Sequence, residues 1–151
     1  MSDLCDKTAT ELRSLIGRKD ISPVELVESC IERIDTADKA LNAVVTPTFD
    51  HARNEAARAE KAVLDGDDLG LLHGLPIGIK DLEATSGILT TLGSQLYANH
   101  VPEKDQGSVS NIRAEGGIVI GKTNTPEFGA GANTRNLVFG ATGNPFAPKK
   151  T

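Results

Sequence analysis

The chain of 151 residues carries a formal net charge of −5, with 38% hydrophobic residues, 15 glycines, 3% aromatics and no Trp. About half of it is therefore apolar or Gly, enough for one globular core, whereas an acidic chain poor in aromatics offers nucleic acid neither a basic face nor a stacking platform. No apolar run approaches the roughly 20 residues of a membrane span, and Met1-Ser2-Asp3-Leu4-Cys5-Asp6 lacks the basic and apolar sections of a secretory leader, so a cytoplasmic protein with no membrane partner is expected.

The first 70 residues read as helical. Thr8-Ala9-Thr10-Glu11 fits a capping box, with Leu12, Leu15 and Ile16 on one face and Gly17 as the stop. Ser22-Pro23-Val24-Glu25 is a second capping box with Pro at the first helical position, followed by Val24, Val27, Ile31 and Ile34 at helical spacing. Residues 42–46 read as a short strand closed by Pro47. A third helix over residues 50–64 has a thin stripe of Ala52, Ala56, Ala59 and Val63.

From about residue 71 the text turns Gly-rich, with short β-branched runs. Residues 75–80 and Ile118-Val119-Ile120 are read as strands, the latter apolar throughout as buried parallel strands are. Between them a helix is expected from Asp105 as N-cap to about Glu115, with Val109, Ile112 and Arg113 facing inward. Strand, helix and strand make a βαβ-type unit. Thr125-Pro126-Glu127 reads as a further helix start, and the stretch from Gly129 to the end as loop.

Cys5 and Cys30 are read as isolated thiols, Cys30 as a small core or flank residue. His51, His73 and His100 are widely spread and have no metal-ligand spacing, so neither a metal nor a cofactor is expected. Gly116-Gly117-Ile118-Val119-Ile120-Gly121-Lys122-Thr123 matches the phosphate-loop pattern letter for letter. That reading is refused, because a phosphate loop curls between a strand and a helix, while Ile-Val-Ile favours being a strand itself. Lys122 is then a polar residue at a strand's end.

Lys80 closes Gly74-Leu75-Pro76-Ile77-Gly78-Ile79-Lys80-Asp81. An ammonium after an apolar strand is either lifted into solvent or held indoors, and a desolvated lysine gives up its proton more easily and can act as a base. By residue type alone the solvated reading is the commoner one.

That segment resembles the stretch bearing the catalytic lysine in amidase signature enzymes. Thr90-Thr91-Leu92-Gly93-Ser94, Gly117-Ile118-Val119-Ile120-Gly121-Lys122-Thr123-Asn124, Glu127-Phe128-Gly129 and Gly143-Asn144-Pro145-Phe146 agree with the family in order and spacing, as does the helical opening with Ser22-Pro23-Val24-Glu25-Leu26. The resemblance implies an α/β fold: N-terminal helices followed by the first strands and crossover helix of the family's mixed sheet, incomplete here. It implies one domain part over residues 1–151, helical to residue 70 and rich in strands and loops from residue 71.

It also implies amide hydrolysis by a Ser–Ser–Lys triad, with Lys80 as its lysine. In the family a second serine, on a cis peptide bond, bridges the nucleophilic serine to the lysine, which takes its proton through that bridge. Holding a lysine neutral near pH 7, from about 10.4, costs roughly 4 kcal/mol. Asp81 is read either as an exposed turn carboxylate or as a structural partner, and residues 127–133 either as a pocket border or as a plain helix start.

The family's Gly- and Ser-rich segment, which holds both serines, is expected beyond Thr151. No Ser-Ser-Gly-Gly run occurs in the chain, and Ser94, Ser108 and Ser110 are alternatives by residue type only. These 151 residues are therefore expected to carry one triad member of three, to be inactive alone, and to leave strand edges open to association with the missing portion or with another copy. Asp81-Leu82-Glu83 departs from the Asp-Asn common in the A subunit of the tRNA-dependent amidotransferase, which favours a stand-alone amidase acting on a small-molecule amide. The alternatives are a non-catalytic truncated module and the amidotransferase component itself.

Overall fold

The structure is a computed structural model and describes residues 4–151; the reading of Met1, Ser2 and Asp3 as part of no leader lies outside the described residues. A 3₁₀ turn at Leu4–Asp6 precedes helices α1 (Ala9–Gly17) and α2 (Pro23–Leu41). Both capping boxes form. Thr8 and Ser22 accept the backbone N–H of Glu11 and Glu25, whose carboxylates reach back to the cap N–H groups at 2.8 Å. Helix α2 ends on Asn42 in the left-handed region (φ 55°), and the Asp38 carboxylate accepts the N–H groups of Ala43 and Val44 just beyond.

The chain then enters strand β1 (Val44–Pro47) and helix α3 (Phe49–Asp65). The expected Ala52, Ala56, Ala59 and Val63 stripe is buried. Small side chains let α3 approach closely, and its alanines share one core with Val27 and Ile31 of α2 and with Ile118 and Ile120. A second cluster joins Leu12, Ile16, Leu26, Val63 and Leu75. Among the described residues no helix is long and apolar enough to cross a membrane.

Strands β2 (Pro76–Lys80) and β3 (Ile118–Thr123) are parallel neighbours joined through helix α4 (Gly107–Ala114), so the expected βαβ unit is present. Strand β1 adds antiparallel to the other side of β3, giving a mixed sheet in the order β1–β3–β2. Gly121 lies where β1 presses on β3: a Cβ there would meet Val44 Cγ1 at 2.8 Å and Thr46 O at 3.0 Å. The register slips between Ile77 and Gly78, and beyond the slip Ile79 pairs with Lys122 and Lys80 with Thr123.

Several expectations are corrected. Helix α4 is capped by Gln106, not Asp105; the Asp105 carboxylate instead accepts the Ser86 N–H at 2.7 Å. Arg113 does face inward as expected, and there it pairs with Glu55 and Asp105, each at 3.3 Å. Thr125-Pro126-Glu127 starts only a 3₁₀ turn (Glu127–Gly129) around Phe128 at φ 51°. The expected terminal loop contains a small antiparallel pair, β4 (Arg135–Asn136) and β5 (Gly140–Ala141). Amides hold it: Asn136 Nδ2 donates to Asn124 Oδ1 at 2.7 Å, and Asn42 Nδ2 to Phe139 O at 2.8 Å. Finally, Cys5 and Cys30 are not isolated, their Sγ atoms lying 3.7 Å apart.

Candidate active site

Lys80 stands at the carboxyl end of the parallel pair β2–β3. In open α/β sheets that is the end where ligands bind. Its side chain is exposed, and its ammonium has no hydrogen-bond or ion-pair partner among the described residues. The expectation that an apolar strand holds it out of water is thus not met by these residues. Ile79, just before it, carries the burial instead.

The main chain around Lys80 is firmly held. Glu83 N–H donates to Lys80 O at 2.9 Å, closing a tight turn, and Asp81 N–H donates to Thr123 O at 2.9 Å, extending the parallel pairing by one residue. Asp81 settles as the structural partner. Its side chain is fully buried (0% exposed), its carboxylate accepts the Thr91 N–H at 3.1 Å and the Thr91 hydroxyl at 2.5 Å, and its carbonyl accepts the Leu92 N–H. Residues 81–92 thus fold back on the end of β2. Leu92, with φ 56°, and Gly93 make that return possible.

The lysine held indoors is Lys122, at 0% exposure. From the middle strand it reaches into the same turn and donates to Glu83 O, to Thr85 Oγ1 at 2.7 Å and to Thr90 Oγ1 at 3.0 Å, a full set for an ammonium. The main chain of Glu83 therefore links the two lysines, its carbonyl accepting from the Lys122 ammonium and its N–H donating to the Lys80 carbonyl. Sequence reasoning misses Lys122 as a site residue, although the question put to Lys80, an ammonium after an apolar strand, applies to it equally. The two lysines take the two answers.

Burial lowers the Lys122 ammonium from its ordinary 10.5 to about 8, opposed by the charges of Asp81, Glu83 and Asp105. Below pH 8 it is protonated in both folded and unfolded chains, and the folded state bears the full desolvation cost. Between pH 8 and 10.5 the unfolded chain binds more protons, so this residue makes stability rise with pH; above 10.5 nothing further is gained. The stability difference between wild type and Lys122→Met is expected to shift in favour of wild type by about 3 kcal/mol across that window. Urea unfolding of both proteins at pH 7.5 and 10.5 checks it, and a parallel change in the two would contradict it.

None of the serines weighed from the sequence joins Lys80. Ser94 is buried and accepts the Leu96 N–H, Ser108 donates to Glu83 Oε2 at 2.8 Å, and Ser110 is exposed on α4. Residues 127–133 are exposed, with Leu82 packed against Gly129, where a Cβ would meet Leu82 Cδ1 at 2.8 Å. A cavity of about 240 Å³ lined by Glu55, Arg58, His73 and Arg113 opens beside Gly116 and Gly117, at the opposite end of the sheet from Lys80.

A family model described as Amidase matches residues 25–151. The chain is 38% identical over 144 residues to the A subunit of the Glutamyl-tRNA(Gln) amidotransferase of Geotalea daltonii, covering 95% of this chain and 30% of the relative. It is 36% identical over 139 residues to an acylamidase of Rhodococcus erythropolis, covering 92% and 29%. The solved structure of a bacterial aryl acylamidase of the amidase signature enzymes superposes with a TM-score of 0.88 at 37% identity, covering 93% of this chain and 29% of that one. The chain thus spans about 30% of the length of the relatives it matches.

Proposed function

This chain belongs to the amidase family, and we propose from that premise that it serves the hydrolysis of a small carboxylic amide to acid and ammonia, with Lys80 as the base and both serines supplied by polypeptide outside these 151 residues. Residues 1–151 are then the N-terminal part of one amidase domain, in a cytoplasmic enzyme. The observation that carries the reading is the placement of Lys80: at the carboxyl end of a parallel strand pair, its backbone fixed on both sides, its amine left without a partner among the described residues.

The chemistry asks for such a group. A neutral amine takes the proton of an attacking serine, through a bridging hydroxyl, as the serine oxygen bonds to the amide carbon; the proton is then delivered to the departing nitrogen, which leaves as ammonia. Water repeats the cycle on the acyl-serine, releasing the acid. Polypeptide covering the exposed Lys80 would exclude water and favour the neutral amine. Asp81 and Lys122 do not enter the proton path. They hold the turn from which Lys80 projects.

The presence of a Glutamyl-tRNA(Gln) amidotransferase component among the relatives, at 38% identity, favours a second reading, in which the ammonia is passed to an acyl acceptor instead of being released into solution. The departure of Asp81-Leu82-Glu83 from the Asp-Asn common in the amidotransferase component keeps the hydrolase reading first.

Purified as 151 residues, the polypeptide is expected to release no ammonia from a simple amide such as benzamide above the buffer rate. Hydrolysis that Lys80→Ala abolishes would show that the serines lie within the chain and would overturn this reading.

A further inference from the structure

The structure places two thiols together at the start of the chain: Cys5 on the Leu4–Asp6 turn and Cys30 in the middle of α2, with Sγ atoms 3.7 Å apart. We propose that Cys5 and Cys30 form an oxidation site, a reversible disulfide that staples the N-terminal turn to helix α2. At 3.7 Å the Cys5 thiol donates a hydrogen bond to Cys30 Sγ, and closing that separation to the roughly 2.05 Å of a disulfide takes about 1.7 Å of movement. The Cys5 side can supply that movement, because it sits on a turn of three residues and not inside a long helix.

The contact is built by more than the sulfurs. Leu4 packs against the cluster of Leu12, Ile16 and Leu26, and Asp6 pairs with Arg33 of α2 at 3.2 Å. Apolar packing on one side of Cys5 and an ion pair on the other hold the turn on the helix. Ser29 Oγ lies 3.5 Å from Cys5 Sγ, a polar neighbour for a sulfur passing through an oxidised state. Both cysteines are half-buried, and neither is sealed in the core.

The oxidant is hydrogen peroxide. One sulfur, as thiolate, attacks a peroxide oxygen; the O–O bond breaks, a sulfenic acid forms, and the other oxygen leaves as water after taking a proton. The second sulfur then attacks the sulfenic sulfur, the S–O bond breaks, the S–S bond forms, and a second water departs. Two thiols are oxidised by two electrons in all and one peroxide is reduced to two waters. Dithiothreitol reverses the change by thiol exchange.

The test treats the 151-residue protein with a small excess of hydrogen peroxide and reads intact mass, non-reducing peptide maps and thermal melting. The expected result is a loss of about 2 Da, a peptide pair joined through Cys5 and Cys30, and a melting temperature higher by about 10 °C, all reversed by dithiothreitol. The crosslink should form at least about tenfold faster in native buffer than in guanidinium, since folding is what brings the sulfurs together. Cys30→Ser should show neither the crosslink nor the thermal gain. Gain of whole oxygens without a crosslink, a disulfide-linked dimer, equal crosslinking rates in native and denatured protein, or a crosslink that lowers the melting temperature would each overturn the proposal.

Discussion

Asp81→Ala is expected to lower stability by about 4 kcal/mol. The carboxylate is fully buried and accepts both the N–H and the hydroxyl of Thr91, itself fully buried. Removing an acceptor costs more than the bond, because the donors left behind stay desolvated: each buried unsatisfied group costs about 1–3 kcal/mol, and more where the lost partner was charged. Asp81→Asn keeps one carbonyl oxygen for those donors and should cost roughly half as much. The loss has a second signature. The charge of Asp81 supports the Lys122 ammonium, so in Asp81→Ala the rise of stability with pH begins below pH 8. Denaturant titrations of the two variants at several pH values measure both effects, and a cost below about 1 kcal/mol for Asp81→Ala would show that residues 81–92 hold together without it.

Lys80→Ala is expected to show the opposite profile, with little change in stability and, if Lys80 is the base proposed above, a large loss of catalysis where the whole centre is assembled. An exposed side chain with no partner among the described residues contributes little to folding. A positioned acid–base group contributes about 10²–10⁴-fold to rate. The two substitutions lie one residue apart, so the contrast separates the residue that builds the turn from the one the turn presents.

Much of this frame is written in local sequence. Thr8 with Glu11 and Ser22 with Glu25 are cap and counter-cap three residues apart, a pattern whose partners lie within one helical turn. The alanine stripe of α3 and the apolar run of β3 declare burial by periodicity alone. The short apolar run before Lys80 likewise places that residue at a strand's end.

What stayed hidden depends on distant contacts. Whether a lysine after an apolar strand is buried turns on what folds over it. Thr85, Thr90 and the Glu83 carbonyl fold over Lys122, and no comparable set meets Lys80 among the described residues. Asn136 and Asn124 organise the β4–β5 pair through side-chain amides, and Asn42 reaches it from 97 residues away, which leaves no period to read. Cys5 meets Cys30 because the first turn docks on α2, a tertiary event that spacing does not reveal.

The most direct test of Lys80 as the base joins these 151 residues to the remainder of the Rhodococcus erythropolis acylamidase, in place of its matching segment, and measures amide hydrolysis with and without Lys80→Ala. An active chimera is expected whose kcat falls about a thousandfold in Lys80→Ala, with the fold unchanged by circular dichroism and part of the rate restored by added methylamine. An active chimera that keeps its kcat within about tenfold when Lys80 is replaced would contradict that role.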